Sequence, residues 1–382
     1  MPEGYVTIDG NTANIYPNGY YEVSASDGDH ELTVYSKNGE TIHSEVITVD
    51  GDTRYDNTFD RVRGSWRRPP TDLSTMKDNI DTYYDYGVTD LHVETLFHGK
   101  TIYPSSHTLM KDGYADTYLQ EVIDYAHQKG MRVHAWCETM YLWNCKYLGQ
   151  PESGHPMAGN DEFCSSHGCY NLNGDYVTTD KDGRWEFEDG KNFASPFNDN
   201  VVGLISDIAA EIDSTYDVDG VQFDYVRFPK ADPAAGYGQS SPYDGTQTDD
   251  EMQSLREDAV DNLVSSAASN VGTWTAASAA VFAAYYTSSD EAELHKSQDW
   301  ETWGNDYDID WTISMCYAYD SSEYDHQMSE SIKRQSWGET VMPALAINDG
   351  HDDINIQYRY YDDYNFGGYH VWKAEDINKD LP

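Results

Sequence analysis

Asp217-Val218-Asp219-Gly220-Val221-Gln222-Phe223-Asp224-Tyr225-Val226-Arg227-Phe228-Pro229 is the stretch on which the fold turns. It reads as a short buried strand that ends in a carboxylate and opens into an aromatic loop carrying Arg and Pro. Val221 and Phe223 point to one side of such a strand, Gln222 and Asp224 to the other. Parallel-barrel enzymes keep their chemistry at the C-terminal ends of the strands, so a carboxylate placed there is a catalytic candidate. The competing reading is structural: Asp224 caps a following helix or pairs with Arg227. Spacing alone divides the two evenly, and the rest of the chain favours the first.

Outward from this strand, the chain alternates strand and helix from about residue 60, the pattern of a parallel sheet with covering helices. Candidate strands are 63–66, 90–94, 132–138, 220–224, 273–278, 311–317, 341–347 and 368–372. Amphipathic helices fit between most of them, most clearly at 72–86, 115–129, 201–216 and 250–269. Eight strands predict an α/β fold, a (β/α)8 TIM barrel over residues 60–382. One connection, 139–200, is long, rich in Gly, Asn and Asp, and without periodicity. A loop of that length is rare unless functional, and because it follows the third strand it is expected over the catalytic face. Residues 1–56 read instead as short alternating runs separated by Asp-Gly and Asn-Gly pairs, as hairpin turns require. They predict a small β-sandwich module for attachment or glycan binding.

The 382 residues carry 68 acidic and 24 basic side chains, a net charge of −44. The acidic residues run along the whole chain, and 32 Tyr, 10 Trp and 10 Phe exclude an acidic disordered protein. Such a surface repels itself at ordinary salt, and molar salt screens it. A salt-adapted protein of haloarchaeal or haloarchaeal-virus origin is expected. Phosphate would meet like charge, so nucleic acid is excluded as a partner. No apolar run is long enough to span a membrane, and no signal peptide is visible at the N-terminus. The expected location is extracellular or virion-associated, with an assembly partner engaged through residues 1–56.

Several pieces occur in the order found in a known group. Arg63-Gly64-Ser65-Trp66, Ile102-Tyr103-Pro104-Ser105, the run from Ala126 to Trp136, Asp219 to Pro229, and Ile309 to Tyr317 together cover most of residues 60–375. This region resembles the glycosidase-like barrel families first defined as domains of unknown function. The resemblance implies a TIM barrel that cleaves glycosidic bonds, with Asp224 in its chemistry. Glu138 stands where those families often have Asn or an apolar residue, and the Cys-bearing loop is extra, which leaves the substrate open. Gly19 to Val34 also resembles the small surface modules called PEGA domains.

Glycoside hydrolysis needs two carboxyl groups flanking the bond, one a proton donor and the other a nucleophile or base. Asp224 is the first candidate. Strand-end acids that could serve as its partner are Glu94, Glu138, Asp320 and Asp349. Glu138 shares a face with His134 and Trp136 by alternation, which points it into the barrel mouth and makes it the preferred second carboxylate. In so acidic a chain, any one carboxylate is more often solvated surface. Sugars stack on aromatic faces, so Trp66, Trp136, Tyr225, Tyr317 and Trp372 are rim candidates, although core packing explains each singly as well. Arg227 is expected to orient Asp224 or bind a hydroxyl, and His134 to sit in a hydrogen-bonded barrel layer or touch substrate.

Cys137 and Cys316 fall in predicted strands and read as buried thiols. Cys145, Cys164 and Cys169 lie in the long loop. A disulfide between two of them is favoured over a zinc site with His167, because the spacing matches no strong zinc pattern. No cofactor or metal is required. The expected function is a glycoside hydrolase acting on a polysaccharide or cell-surface glycan by paired carboxylates in high salt. The alternative is a non-catalytic glycan-binding protein, a virion receptor-binding component or adhesin, on a barrel that has lost turnover.

Overall fold

The structure is a computed structural model that describes residues 4–15, 21–36, 41–51, 62–161, 178, 191–229, 241–272, 275–283, 296–307, 309–319, 321–333, 340–347, 357, 368–377 and 381. Eight parallel strands close into a barrel: β1 (Val62–Arg67), β2 (Asp90–Phe97), β3 (Arg132–Glu138), β4 (Gly220–Asp224), β5 (Ala276–Phe282), β6 (Trp311–Met315), β7 (Thr340–Ala346) and β8 (Gly368–Trp372). Each pairs with the next, and β8 returns to β1, so the sheet has no edge. This is the expected TIM barrel. The longer helices are α1 (Leu73–Asp85), α2 (Tyr118–Gln128), α3 (Asp199–Thr215), α4 (Asp249–Ala268) and α5 (Ser321–Lys333). Their starts follow from local chemistry. The Asp72 side chain accepts the Thr75 N–H at the start of α1, and Thr248 with Glu251 forms a reciprocal capping box on α4. No helix of the described residues is long and apolar enough to cross a membrane.

Alternation along each strand divides the core in two. Val221 and Phe223 face outward into the apolar layer between strands and helices, with Val93, Val133, Ile205 and Leu263. Inside the barrel, Trp66, Trp136, Trp311, Ile313 and Met342 fill the lumen. Below them lies a polar layer. His92 and His370 meet through their Nε2 atoms at 2.9 Å, the His92 and His134 rings stack, and His134 Nε2 lies 2.9 Å from Asp90 Oδ1. Arg132 neutralises Asp90 with two hydrogen bonds of 2.6 Å, which offsets the cost of burying that carboxylate. Gly64 and Gly220 leave the space that the His370 and His134 rings occupy.

Three strand ends differ from expectation. β5 starts and ends later than 273–278, because the Ala-rich run after Ser278 carries little β signature yet stays in the sheet. Residues 273 and 274 lie outside the described residues. β6 ends at Met315, where Cys316 and Tyr317 donate back to the carbonyls of Ser314 and Met315. β2 runs past Glu94 to Phe97 and forms a hairpin with Lys100–Thr101. Its two-residue turn, His98-Gly99, has φ of 50° and 67°, the left-handed pair that matches strand twist.

The N-terminal segment forms a four-stranded antiparallel sheet, in the order Asn11–Thr12, Gly4–Ile8, Gly28–Ser36, Thr41–Val49, beside a ribbon of Asn14–Ile15 and Tyr21–Glu22. Leu32, Val34, Val6, Ile8 and Ile47 make its core.

Candidate active site

Glu94, Glu138 and Asp224 come together at the C-terminal mouth of the barrel. Glu138 on β3 and Asp224 on β4 are register partners, and Glu94 on β2 is opposite Trp136, one inward position below Glu138. Arg68, just beyond β1, ties the two glutamates together. Its Nε donates to Glu94 Oε1 at 3.0 Å, and its Nη2 lies 3.7 Å from Glu138 Oε1. The Arg68 side chain is 53% exposed, whereas each glutamate side chain is 1% exposed. The guanidinium also lies over the Trp136 ring.

The two register partners are held differently. Glu138 Oε2 accepts the His98 backbone N–H at 2.9 Å, donated from the hairpin turn that extends β2. Asp224 accepts from the Trp136 indole N–H at 2.9 Å and from the Tyr225 backbone N–H at 2.7 Å. Tyr225 has a φ of 53°, a conformation that costs a non-glycine residue energy and clusters at functional sites.

Burial raises all three carboxyl groups. It pushes Glu94 up to about 7 against the pull of Arg68. It pushes Glu138 well above the usual carboxylate range, and the Glu94 charge adds to the rise against the His98 N–H and Arg68. Asp224 is also raised by burial, opposed by the Tyr225 and Trp136 donors and by Arg227. Burial, and next the Asp224 charge, pushes the Tyr317 phenol well above its ordinary value. Burial lowers His98 to about 4, so its ring is neutral at pH 7 and its Nε2 lies 3.1 Å from Tyr141 Oη. Three carboxyl groups with one shared cation and unlike donors can divide acid and base roles.

A cavity of about 430 Å³ opens outside this cluster. Arg68 and Tyr225 form its inner wall, and Tyr141, Lys146, Tyr147 and Lys191, from the segment after β3, form its outer wall. That segment folds as a strand, Tyr141–Asn144, paired antiparallel with Lys191–Phe193, and a short helix, Cys145–Leu148. Cys145 is disulfide-bonded, and Cys164 and Cys169 lie outside the described residues. Cys137 and Cys316 are buried free thiols.

The rim candidates separate. Trp136, Tyr225 and Tyr317 surround Asp224. Arg227 is buried among Phe193, Tyr225 and Phe282, donates to the Phe228 carbonyl, and its charge favours the ionised form of Asp224. Trp372 is half-buried at the end of β8 and packs on both Trp66 and Trp136. Three of the candidates are not on the rim: Trp136, 1% exposed, fills the lumen beneath Asp224, and two others lie away from it. Trp66 is 2% exposed inside the lumen and donates to Gln222 Oε1 at 2.6 Å. His134 is in the polar layer with Asp90, near the start of its strand, where packing removes it from any sugar. Asp320 and Asp349 lie outside the described residues.

Sequence reasoning missed Arg68, His98, Tyr141 and Lys191. A signal existed for two of them. Arg67-Arg68 puts two cations at a strand end in an acid-rich chain, and His98-Gly99 is a hairpin-turn dipeptide after an extended run.

Residues 164–374, more than half of the chain, match the family described as "Putative glycosyl hydrolase domain". The chain belongs to this family. No curated protein matches it in sequence. Among solved structures, this family member is similar to the PgaB (BpsB) glycoside hydrolase domain from Bordetella bronchiseptica, with 14% identity over 82% of this chain and 94% of that one, at a TM-score of 0.53. It is also similar to the catalytic domain of beta-amylase from Paenibacillus polymyxa, with 10% identity over 83% and 93%, at a TM-score of 0.55. A third is alpha-L-fucosidase isoenzyme 2 from Paenibacillus thiaminolyticus, with 11% identity over 83% and 47%, at a TM-score of 0.54. At such identities the likeness is one of fold.

Proposed function

We propose that the protein is a glycoside hydrolase that cleaves a polysaccharide or cell-surface glycan in high salt, with Asp224 and Glu138 as its carboxyl pair. The observation that carries this reading is the register pairing of these two acids at the ends of β3 and β4, in unlike environments. Asp224, partly buried and holding two N–H donors, suits the ionised partner, nucleophile or base. Glu138, buried and held well above the ordinary carboxylate range by that burial, suits the proton donor. Glu94 then acts as a positioning residue through Arg68, keeping the guanidinium off a purely Glu138 pairing that would ionise the acid. Tyr225, Tyr317 and Trp372 at the mouth suit sugar faces.

One observation favours the second reading, a binding protein without turnover. Arg68 covers both glutamates, which are nearly inaccessible in this state. Hydrolysis requires a sugar to displace that guanidinium or take it as a ligand. The deciding experiment is reducing-end release from haloarchaeal surface glycans and exopolysaccharides in molar salt, with wild type beside Asp224→Asn. Release by wild type alone supports the enzyme. Binding by both with release by neither supports the adhesin.

A further inference from the structure

The outer wall of the cavity has the wrong charge for this protein. The chain carries 68 acidic side chains against 24 basic, yet among the described residues the cavity lining includes Arg68, Lys146 and Lys191 and no Asp or Glu. Four lysines elsewhere are matched to carboxylates, Lys77 with Glu121, Lys100 with Glu152, Lys129 with Asp81 and Lys333 with Glu330, while Lys111 rests over the Phe97 ring. Lys146 and Lys191 rest over the rings of Tyr147 and Tyr141, at 5.1 and 5.8 Å, and neither has a salt bridge among the described residues. Two ammonium groups left for a ligand, in a surface so rich in partners, mark a place where a negative group binds.

We propose that this cavity takes an anionic glycan, with a carboxylate or sulfate substituent seated on Lys146 and Lys191. The proposal rests on the glycoside hydrolase reading and specifies its substrate class. The two lysines stand on the segment after β3, and the same cavity is lined by Arg68, which binds Glu94, and by Tyr225, next to Asp224. The charged substituent therefore belongs to a sugar held against the outer wall, away from Asp224, where like charge would oppose it. Tyr147, exposed on the outer wall, supplies a face for that sugar's ring, and the lysines fix its orientation. Global repulsion of a polyanion by the acidic surface does not forbid this. The Debye length falls from about 8 Å at physiological salt to about 3 Å at 1 M, so long-range repulsion disappears before a direct contact does.

The test uses two pairs of polymers that share a backbone: polygalacturonate with its methyl ester, and dextran sulfate with dextran. Equilibrium binding is measured in molar salt on the full chain carrying Asp224→Asn. The charged member of one pair is expected to bind on the order of tenfold tighter, the size of one charge-assisted hydrogen bond. Which pair shows it distinguishes carboxylate from sulfate. The ratio falls toward one in Lys146→Gln/Lys191→Gln, and in part in each single variant, but not in Lys77→Gln/Lys129→Gln, which makes the same change of net charge as the double variant, or in Lys129→Gln, which matches the single ones, both far from the cavity. Equal binding of both members, absent binding of both, or a ratio that survives the double variant overturns the proposal. Reducing-end release by the wild-type chain is read separately. A charge preference without release leaves the anionic site and removes the hydrolase; release without preference does the reverse.

Discussion

His98 donates its backbone N–H to Glu138 at 2.9 Å from a left-handed conformation, φ 50°. Tyr225 does the same for Asp224, at 2.7 Å and φ 53°. Each carboxylate of the proposed pair is thus held by a main-chain donor whose direction depends on a backbone state that most residues avoid. A side-chain donor can rotate away; a turn N–H is fixed by the fold. Strain of this kind, about 1–3 kcal/mol per residue, persists where the surrounding structure over-determines it.

The first prediction concerns the turn. His98→Asn keeps a residue that tolerates positive φ, and His98→Val introduces a β-branched one that does not. Both keep the N–H. The Val variant should be less stable than the Asn variant by about 1–2 kcal/mol in urea denaturation. It should also lose more activity, because the Glu138 donor shifts with the turn. Equal stability would mean that the turn relaxes freely and does not position Glu138.

The second prediction separates the acid from the nucleophile. If Glu138 protonates the leaving group, Glu138→Gln loses about 10²–10⁴-fold in kcat on a natural glycan. It should lose far less on an aryl glycoside whose phenolate needs no proton. Asp224→Asn should be impaired on both. Comparing kcat for the two substrates checks this, and equal losses for Glu138→Gln would remove it from the acid role.

How much of this was readable in advance follows from what each feature depends on. The barrel was legible because alternation and amphipathic period are local: β4 and its inward Gln222 and Asp224 follow directly from four residues. Glu138 beside Asp224 followed from alternation on two strands that pair in register. Arg68 was not legible as the bridge between Glu94 and Glu138, because that contact joins the C-terminal ends of three strands, an arrangement set by sheet register and not by any local pattern. Trp66 was misplaced for a related reason: a strand-end tryptophan is at the rim or in the lumen according to how far the strand extends, and β1 runs on to Arg67. The β2 hairpin was passed over because Glu94 looked like a terminus, although the chain stays extended to Phe97.

The third prediction uses the shared cation. In the proposed mechanism Glu138 works protonated, so activity should be present below its raised pKa and lost as pH rises through it. The Glu94 charge raises Glu138, and Arg68 lowers it. Glu94→Gln should therefore move the alkaline limb of kcat/KM to lower pH, and Arg68→Gln should move it to higher pH. Shifts in the same direction in both variants would contradict the arrangement.

A fourth prediction tests the lumen. Gly64 on β1 faces His370 on β8, and a Cβ on Gly64 would lie 2.1 Å from His370 Cδ2. Gly64→Ala should destabilise the fold by about 1–3 kcal/mol, the ordinary cost of overpacking. In a His370→Ala background the same substitution should cost under about 1 kcal/mol, because the ring it meets is gone. Denaturation of the four proteins in one double-mutant cycle measures the coupling, and simple additivity would show that the two residues do not share that space.

The last prediction is stereochemical. Neighbouring strands lie about 4.7–4.9 Å apart, and Glu138 and Asp224 are register partners with side chains on the same inner face. Carboxyl groups that keep the spacing of such a pair would match the ~5–5.5 Å of retaining enzymes and not the ~6.5–9.5 Å that makes room for an inverting water. Asp224, held from behind by Trp136 and Tyr225, is positioned to attack the sugar itself. The first product seen by proton NMR should have the anomeric configuration of the substrate, and a 2-deoxy-2-fluoro glycoside with a good leaving group, whose glycosyl-enzyme turns over slowly, should label Asp224. An inverted first product would mean that the working partner of Asp224 is a more distant acid than Glu138.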